Sequence, residues 1–351
     1  MIPYHDLSKI NHPLADDILA EINVVIEKNK FVMNTEKFEE EFADYTGAKY
    51  CVALSSGTAA LHLSLKALGI AEGDEVITVS HTFRATAAAI KYCNAKPVFV
   101  DIDKDTFTMD PEKLEDKINT NTKAIIPVHI YGNMADMEKI NKIAKKHGIP
   151  IVEDCSQAHG STFDNKHAGT LGRIGAYSFY PGKSLGALGD AGAVVTDDES
   201  LAKDIAGLRN WADDDVGHNY RMASIQAEAL RIKLQNYPDV LGDKEDIAEY
   251  YQENLKQEVF VKRNVRHSWH IYPYILDEKY DREDFIKKLS DKVELKTHYP
   301  VPVHRLSAYK SSYELPNTDF VANHQVSIPI YPEVEKEEVV EAINDYFATL
   351  L

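Results

Sequence analysis

Cysteine is scarce in this chain. There are three in 351 residues, Cys51, Cys93 and Cys155, and no two form a CxxC pair. An odd, sparse count does not build a disulfide framework and suits a reducing compartment, so a cytoplasmic protein is expected. Positive charge is also short: 39 Lys and Arg stand against 56 Asp and Glu, a formal net charge of −17. No basic stripe interrupts that acidity, which argues against a nucleic-acid partner. No run of about 18 apolar residues occurs, so no membrane-spanning helix is expected. The opening MIPYHDLSKINHP lacks a basic stretch followed by an apolar one, so it does not read as a signal peptide. His-Glu-x-x-His and Cys/His clusters are missing, and no metal site is expected. The apolar share, 44%, is that of a globular protein rather than a disordered one.

What is present is an alternation. Apolar runs at Tyr50–Leu54, Glu75–Val79, Pro97–Val100, Lys123–Val128 and Pro150–Glu153 are separated by helical patterns at Thr58–Leu68, Thr82–Cys93, Pro111–Ile118 and Met134–His147. Ala176–Phe179 and Gly192–Thr196 add two further strands. Near-continuous Val/Ile runs are how strands buried on both faces read. Strand–helix repetition predicts βαβ units and a mostly parallel sheet. After Asn219 the texture changes to long helical stretches, with a helix break expected at Pro238. At roughly 100–200 residues per domain, the expectation is an α/β fold: a large α/β domain over 1–237, with a mostly parallel mixed sheet flanked by helices, and a smaller C-terminal α+β domain over 238–351.

Ligands of open α/β sheets bind beyond the carboxyl ends of the strands, and three such places carry polar residues. Ser55-Ser56-Gly57-Thr58 opens a helix, whose free N–H groups and dipole suit a phosphate. Asp154 ends the Ile151-Val152-Glu153 run. Lys183 sits in a Gly-rich turn, Pro181-Gly182-Lys183-Ser184-Leu185-Gly186, after another strand. A triphosphate-binding loop needs G-x-x-x-x-G-K-[ST]; its first glycine would fall at Tyr177, so that reading fails. G-x-G-x-x-G is absent from the same stretch, which weakens a dinucleotide reading. A lysine amine condenses with an aldehyde to a Schiff base. Pyridoxal phosphate needs that lysine, a carboxylate partner for its ring nitrogen, and a phosphate cradle. Lys183, Asp154 and Ser56–Thr58 supply all three.

The motifs SSGTAALHLSL (55–65), SHTFRATAAAI (80–90), PVHIYGNMADM (127–137), IVEDCSQAHGSTF (151–163), YSFYPGKSLGALGDAGAVVT (177–196), NYRMASIQAEALRIKL (219–234), HYPVPVH (298–304) and SIPIYPEV (327–334) run in one order across almost the whole chain. On these the sequence resembles the DegT/StrS sugar aminotransferases, fold-type-I pyridoxal phosphate enzymes that act on nucleotide-linked ketosugars. The resemblance implies that Lys183 carries the cofactor, that Asp154 pairs with its ring nitrogen and that Gln157 bonds its phenolic oxygen. It implies that Gly57, Thr58 and Ser178 hold the phosphate and that Phe83 stacks on the ring. Asn219 falls where the family sends a phosphate contact into the neighbouring subunit, so a homodimer with shared sites is implied. His159, Tyr180, Arg221 and His304 are candidate substrate contacts; His159 and His304 read equally well as structural histidines. The implied reaction takes an amino group from L-glutamate to C3 of a dTDP-3-keto-6-deoxyhexose. Amination of C4, as in perosamine-forming members, is the alternative, and a cofactor-binding regulatory relative without catalysis is a third reading. Relatives that use the cofactor for dehydration have histidine in place of Lys183. Ser184, Ala191, the 210–218 loop and Val293–Thr297 depart from the family pattern.

Overall fold

The computed structural model describes residues 1–212, 215–255, 259, 261, 262 and 264–350. Two helices, α1 (Ala15–Lys28) and α2 (Glu36–Thr46), lead into an alternating region. It runs β1 (Tyr50–Leu54), α3 (Gly57–Ala67), β2 (Glu75–Val79), α4 (Ala85–Tyr92), β3 (Lys96–Val100), β4 (Thr122–Ile126), α5 (Met137–His147), β5 (Val152–Asp154), β6 (Ile174–Ser178), β7 (Gly192–Thr196) and α6 (Glu199–Leu208). Parallel bridges Ile125–Ile151 and Val128–Asp154 join the β4 and β5 edges. The result is one sheet in the order β3-β2-β4-β5-β6-β7-β1. Only β7 runs against its neighbours, β1 and β6; the other pairings are parallel.

The two faces of this sheet feed two different cores, as period-2 alternation requires. Val52, Leu54, Val76, Ala124, Ile174, Ala176 and Val194 pack with Leu61 and Leu65 of α3, Ile90 of α4 and Ile205 of α6. Their neighbours Ala53, Ile77, Val79, Ile125, Tyr177 and Val195 pack with Phe38 and Phe42 of α2, Ile140 of α5 and Leu230 and Leu234 further on. Both faces are covered, so the strands need no polar face.

Beyond β7 the chain forms α7 (Ser224–Asn254), β8 (Tyr272–Ile275), α8 (Arg282–Leu289), α9 (Pro316–His324), β9 (Gln325–Ile328) and α10 (Lys336–Ala348). β8 and β9 pair antiparallel. A separate core gathers Ile247, Ala248 and Tyr251 of α7 with Tyr272, Phe285, Val326, Val339, Ile343 and, from the other end of the chain, Ile2. Ile2 reaches it by pairing beside Val293: its N–H donates to the Lys292 carbonyl at 2.8 Å and its carbonyl accepts from Glu294 N–H at 2.8 Å.

Three local expectations need correcting. No break occurs at Pro238, which lies inside the continuous 31-residue helix α7. Leu234, Tyr237 and Leu241 bury one face of the helix there, and that packing outweighs the proline penalty of about 3 kcal/mol. The position expected to divide the chain, 237/238, therefore falls mid-helix. The segment Pro111–Ile118 is not an α-helix but two 3₁₀ turns, Pro111–Lys113 and Glu115–Lys117. Pro111 and Leu114 are its buried residues, and their i,i+3 spacing aligns in a 3₁₀ turn. The helix expected from Thr82 starts at Ala85, because Thr82 and Phe83 form part of a cavity wall instead.

Candidate active site

A cavity of ≈ 610 Å³ opens at the carboxyl ends of the parallel strands, the place the topology favours. From the loop after β1 it takes Ser56, Gly57 and Thr58; after β2, Thr82 and Phe83; at and after β5, Asp154, Ser156 and Gln157; at and after β6, Ser178, Tyr180 and Lys183. Its volume lies within the range of about 300–1,000 Å³ usual for small-molecule sites.

The floor is made by the start of α3. Ser56 Oγ accepts from Ala59 N–H at 3.1 Å and caps the helix. The N–H groups of Gly57 and Thr58 have no acceptor among the described residues, so two donors and the positive helix end face an anion site. Three segments converge here only because side chains are missing. A Cβ on Gly57 would lie 2.5 Å from Ser178 Cβ, and one on Gly192 would lie 2.3 Å from the Ser56 carbonyl carbon.

Asp154 is buried at the tip of β5. Its Oδ2 accepts from Thr86 Oγ1 at 2.8 Å and its Oδ1 from Ser156 N–H at 3.1 Å, which fixes the carboxylate plane. Lys183 also lines the cavity. Burial lowers its pKa to about 8, with the Asp154 charge opposing that shift. No hydrogen bond to its amine occurs among the described residues. A nucleophilic amine must be unprotonated, so burial here prepares the lysine for carbonyl addition.

Gln157 Oε1 accepts from Tyr131 N–H at 2.6 Å while its Nε2 donates to the Tyr299 hydroxyl at 3.0 Å. Phe83 leaves its ring half exposed to the cavity, 5.8 Å from that of Tyr299. The donor set fits pyridoxal phosphate: a paired helix N-terminus for the phosphate, a carboxylate opposite, an unpartnered amine and an aromatic ring.

Of the twelve residues singled out from the sequence, eight line the cavity: Gly57, Thr58, Phe83, Asp154, Gln157, Ser178, Tyr180 and Lys183. His159 does not. It is buried behind the cavity among aromatic rings, 5.5 Å from Tyr177 and 5.4 Å from Phe179. His304 does not either; its Nδ1 lies 2.6 Å from Ser80 Oγ, and its backbone N–H donates to the same hydroxyl at 2.9 Å. Asn219 and Arg221 lie outside their own chain's cavity, bonded to each other through Arg221 Nη2 and Asn219 Oδ1 at 2.7 Å. Sequence reasoning missed Tyr4, His5, Thr86, Asp190, His270, His298 and Tyr299, which also line it. His298 and Tyr299 stood in a recognised motif. Tyr4 and His5 left no signal, because only the pairing of Ile2 beside Val293 brings them here.

One further group, His129, Glu153 and Cys155, brings three possible metal ligands together among the described residues. Its atoms are already engaged. Glu153 accepts from Gly169, Leu171 and Gly172 N–H at 2.9, 2.8 and 2.5 Å. His129 Nδ1 accepts from Ala135 N–H at 3.1 Å, so Nε2 carries the proton and donates to Glu153 at 2.8 Å. The cluster ties the β5 end to the 169–172 turn.

A sequence profile of the DegT/DnrJ/EryC1/StrS aminotransferase family matches residues 13–345. The chain belongs to this family. It is a transaminase, and the family's cofactor, pyridoxal phosphate, is the group the cavity fits. Among curated relatives, the dTDP-3-amino-3,6-dideoxy-alpha-D-galactopyranose transaminase of Aneurinibacillus thermoaerophilus is 40% identical, with 99% of each chain covered. The GDP-perosamine synthase of Escherichia coli O157:H7 is 35% identical over 89% of this chain and 90% of its own. Among solved structures, Streptomyces venezuelae DesV in complex with a ketimine intermediate has a TM-score of 0.94 at 34% identity, covering 98% of both chains. Bacillus subtilis ntda with bound PMP has a TM-score of 0.92 at 29% identity, covering 99% of this chain and 85% of that one. No helix of the described residues is long and apolar enough to cross a membrane.

Proposed function

We propose that this aminotransferase moves an amino group from L-glutamate to a nucleotide-linked ketosugar, at C3 of a dTDP-3-keto-6-deoxyhexose, and that it works as a homodimer with shared active sites. The observation that carries the transamination chemistry is the meeting of Lys183, Asp154 and the α3 N-terminus in one cavity. When bound, pyridoxal phosphate supplies an aldehyde that takes up the amino group and a ring that withdraws electrons from the carbon losing its proton. Gly57 and Thr58 N–H, with Ser178, would hold the phosphate;. Phe83 would cover the ring, and Gln157 Nε2, which donates to the Tyr299 hydroxyl, would offer its second hydrogen to the phenolic oxygen. Asp154, held by Thr86 and Ser156, would keep the ring nitrogen protonated. Lys183 would hold the aldehyde carbon and, when free, would move a proton at its Nζ; burial lowers the pKa of this amine to about 8, which leaves more of it unprotonated near neutrality than in water;.

The likeness to the galactose-derived 3-amino sugar transaminase supports C3. The likeness to GDP-perosamine synthase supports the C4 alternative. The deciding experiment incubates the loaded enzyme with glutamate and a panel of nucleotide-linked 3- and 4-ketosugars and locates the new amine by NMR. An amine at C4 overturns the C3 assignment. Borohydride treatment is expected to fix the cofactor to the peptide containing Lys183; attachment elsewhere removes the lysine from its role.

Shared sites are supported by the position of Asn219 and Arg221, outside their own cavity and on the surface. A two-fold dimer repeats the same patch on both chains. Mixing Lys183→Ala chains with Asn219→Trp chains is expected to restore activity, since each mixed dimer keeps one intact pair. Confirmed subunit exchange with no recovered activity overturns the sharing.

A further inference from the structure

Helix α7 carries a lysine, Lys244, whose side chain is entirely buried. Burial of a charged amine is costly unless it is paired, yet no carboxylate pairs with Lys244 among the described residues. Its Nζ donates instead to Ser184 Oγ at 3.1 Å and to the Trp269 carbonyl at 3.2 Å. These two partners sit next to two cavity residues: Ser184 follows Lys183, and Trp269 precedes His270. Ser184 Oγ lies 3.4 Å from His270 Nδ1. About three turns earlier on the same helix face, Lys233 donates to the Gly186 carbonyl at 2.7 Å and grips the other end of the Lys183 loop.

We propose that Lys244 is a positioning residue: through Ser184 and the Trp269 carbonyl it locks the Lys183 loop to the 267–271 segment and presents His270 to the cavity as a neutral imidazole with its proton on Nε2. The hydrogen bonds run in one direction. Lys244 donates to Ser184 Oγ, which is then free to donate its own hydrogen to His270 Nδ1. An imidazole that accepts at Nδ1 carries its hydrogen on Nε2. The groups facing Lys244 agree with this. His5 comes from the N-terminal segment, His159 from the loop after β5, His267 and His270 from the segment before β8. The charge of Lys244 helps to lower the pKa of all four. Lys183 acts on His159 and His270 in the same sense. Tyr237, the nearby hydroxyl of α7, donates to the His159 carbonyl at 2.7 Å, and its oxygen also meets Ser184, where it is a second acceptor for the Ser184 hydrogen beside His270 Nδ1. No anion completes the circle among the described residues. Burial in turn lowers the pKa of Lys244 to about 7; with two hydrogens donated, the amine has no acceptor here for a third.

The kinetic arm rests on the transamination reading; the spectroscopic arm does not. The full-length protein, with and without pyridoxal phosphate, is labelled at its histidine ring nitrogens, and His270 is assigned by difference from His270→Gln. The wild type is expected to show the Nε2–H form of His270 at neutral pH. Lys244→Met and Ser184→Ala are each expected to mix the tautomers. Lys244→Met should also raise the pH at which His270 titrates, since a positive neighbour is gone. In the loaded enzyme both are expected to lower kcat about tenfold while the KM for glutamate stays within about twofold, the mark of lost alignment rather than lost binding. Ser184→Ala removes little volume and decides the matter if Lys244→Met fails to fold. A wild-type His270 signature in Ser184→Ala overturns the proposal whatever the turnover. So does a Lys244→Met protein that loses thermal stability but keeps wild-type kcat and tautomer. Absence of aminotransferase activity on every substrate, with the tautomer shift intact, would count against the function and not against this relay.

Discussion

Single side chains in this protein take their chemistry from burial more than from their neighbours. Lys183 is the clearest case. Burial is the larger influence on its amine and the Asp154 charge the smaller, opposing one, and the balance leaves a pKa of about 8 instead of about 10.4. The rate at which cofactor-free protein captures pyridoxal phosphate is therefore expected to climb with pH and level off just above 8, as followed by absorbance in a stopped-flow mixer. A rate still rising steeply at pH 10 would mean that the amine is not desolvated. Asp154 calls for a different test, because it acts on the electron-withdrawing step and not on capture. Asp154→Asn keeps the shape and one of the two hydrogen bonds accepted from Thr86 and Ser156, its amide nitrogen being unable to accept the other, and removes the charge;. Cofactor is expected to stay bound while single-turnover transamination falls by about two to four orders of magnitude, in line with removing an interaction made mainly in the transition state. Turnover near wild type would release this carboxylate from the ring nitrogen.

Among the elements, α7 links the two parts of the chain. Its first half packs Leu230, Leu234, Tyr237 and Leu241 into the core against the sheet. Its second half packs Ile247, Ala248 and Tyr251 into the other core. Pro238 sits within the first of these runs, between Tyr237 and Leu241, exposed, in an unbroken helix. Proline there leaves the Leu234 carbonyl without its helical donor. Pro238→Ala restores that N–H and removes no buried contact, so the variant is expected to be more stable by about 1–3 kcal/mol, measured as a raised denaturant midpoint with an unchanged slope. A lowered midpoint would show that the proline fixes a bend the two cores require. The short α3 works at its end, where Ser56 satisfies one orphan donor and leaves two for an anion.

At the scale of the whole molecule, the buried histidines set how the protein responds to acid. Burial is the first cause at each: it brings His5, His62, His81 and His298 to about 4 and His159 and His267 to about 3, and His270 well below its ordinary value. In the unfolded chain these rings take up protons near pH 6.5. Folded, they stay neutral until the pH approaches 4. Between those limits the unfolded state binds more protons, so stability falls as pH falls. The thermal midpoint of cofactor-free protein is expected to drop continuously from pH 6.5 to about 4.5, with the steepest loss at about pH 5, where the unfolded rings are already charged and the folded ones still neutral. A midpoint that is flat over that window would mean that the rings are hydrated in solution.

The division between what sequence and tertiary structure each decided follows the range of the interactions. Runs such as Tyr50–Leu54, Glu75–Val79 and Gly192–Thr196 carry their strand boundaries in local composition, and the structure places them there. The lysine after β6, the aspartate at the tip of β5 and the glycine opening α3 were legible because each stands beside its own strand, so topology brings them together without further information. The direction of β7 was not legible, since an apolar run reads the same either way. Neither was the unbroken path of α7 through Pro238, which is held by side chains from both ends of the chain. His304 shares a motif with cavity residues but turns to Ser80, and Lys244 looks like any helix-surface lysine in a stretch rich in Asp and Glu. Their places depend on contacts across 224 and 60 positions of sequence. Periodicity records which face of an element is apolar; it holds no record of which distant segment will bury a given polar atom, and that is settled only when the elements pack.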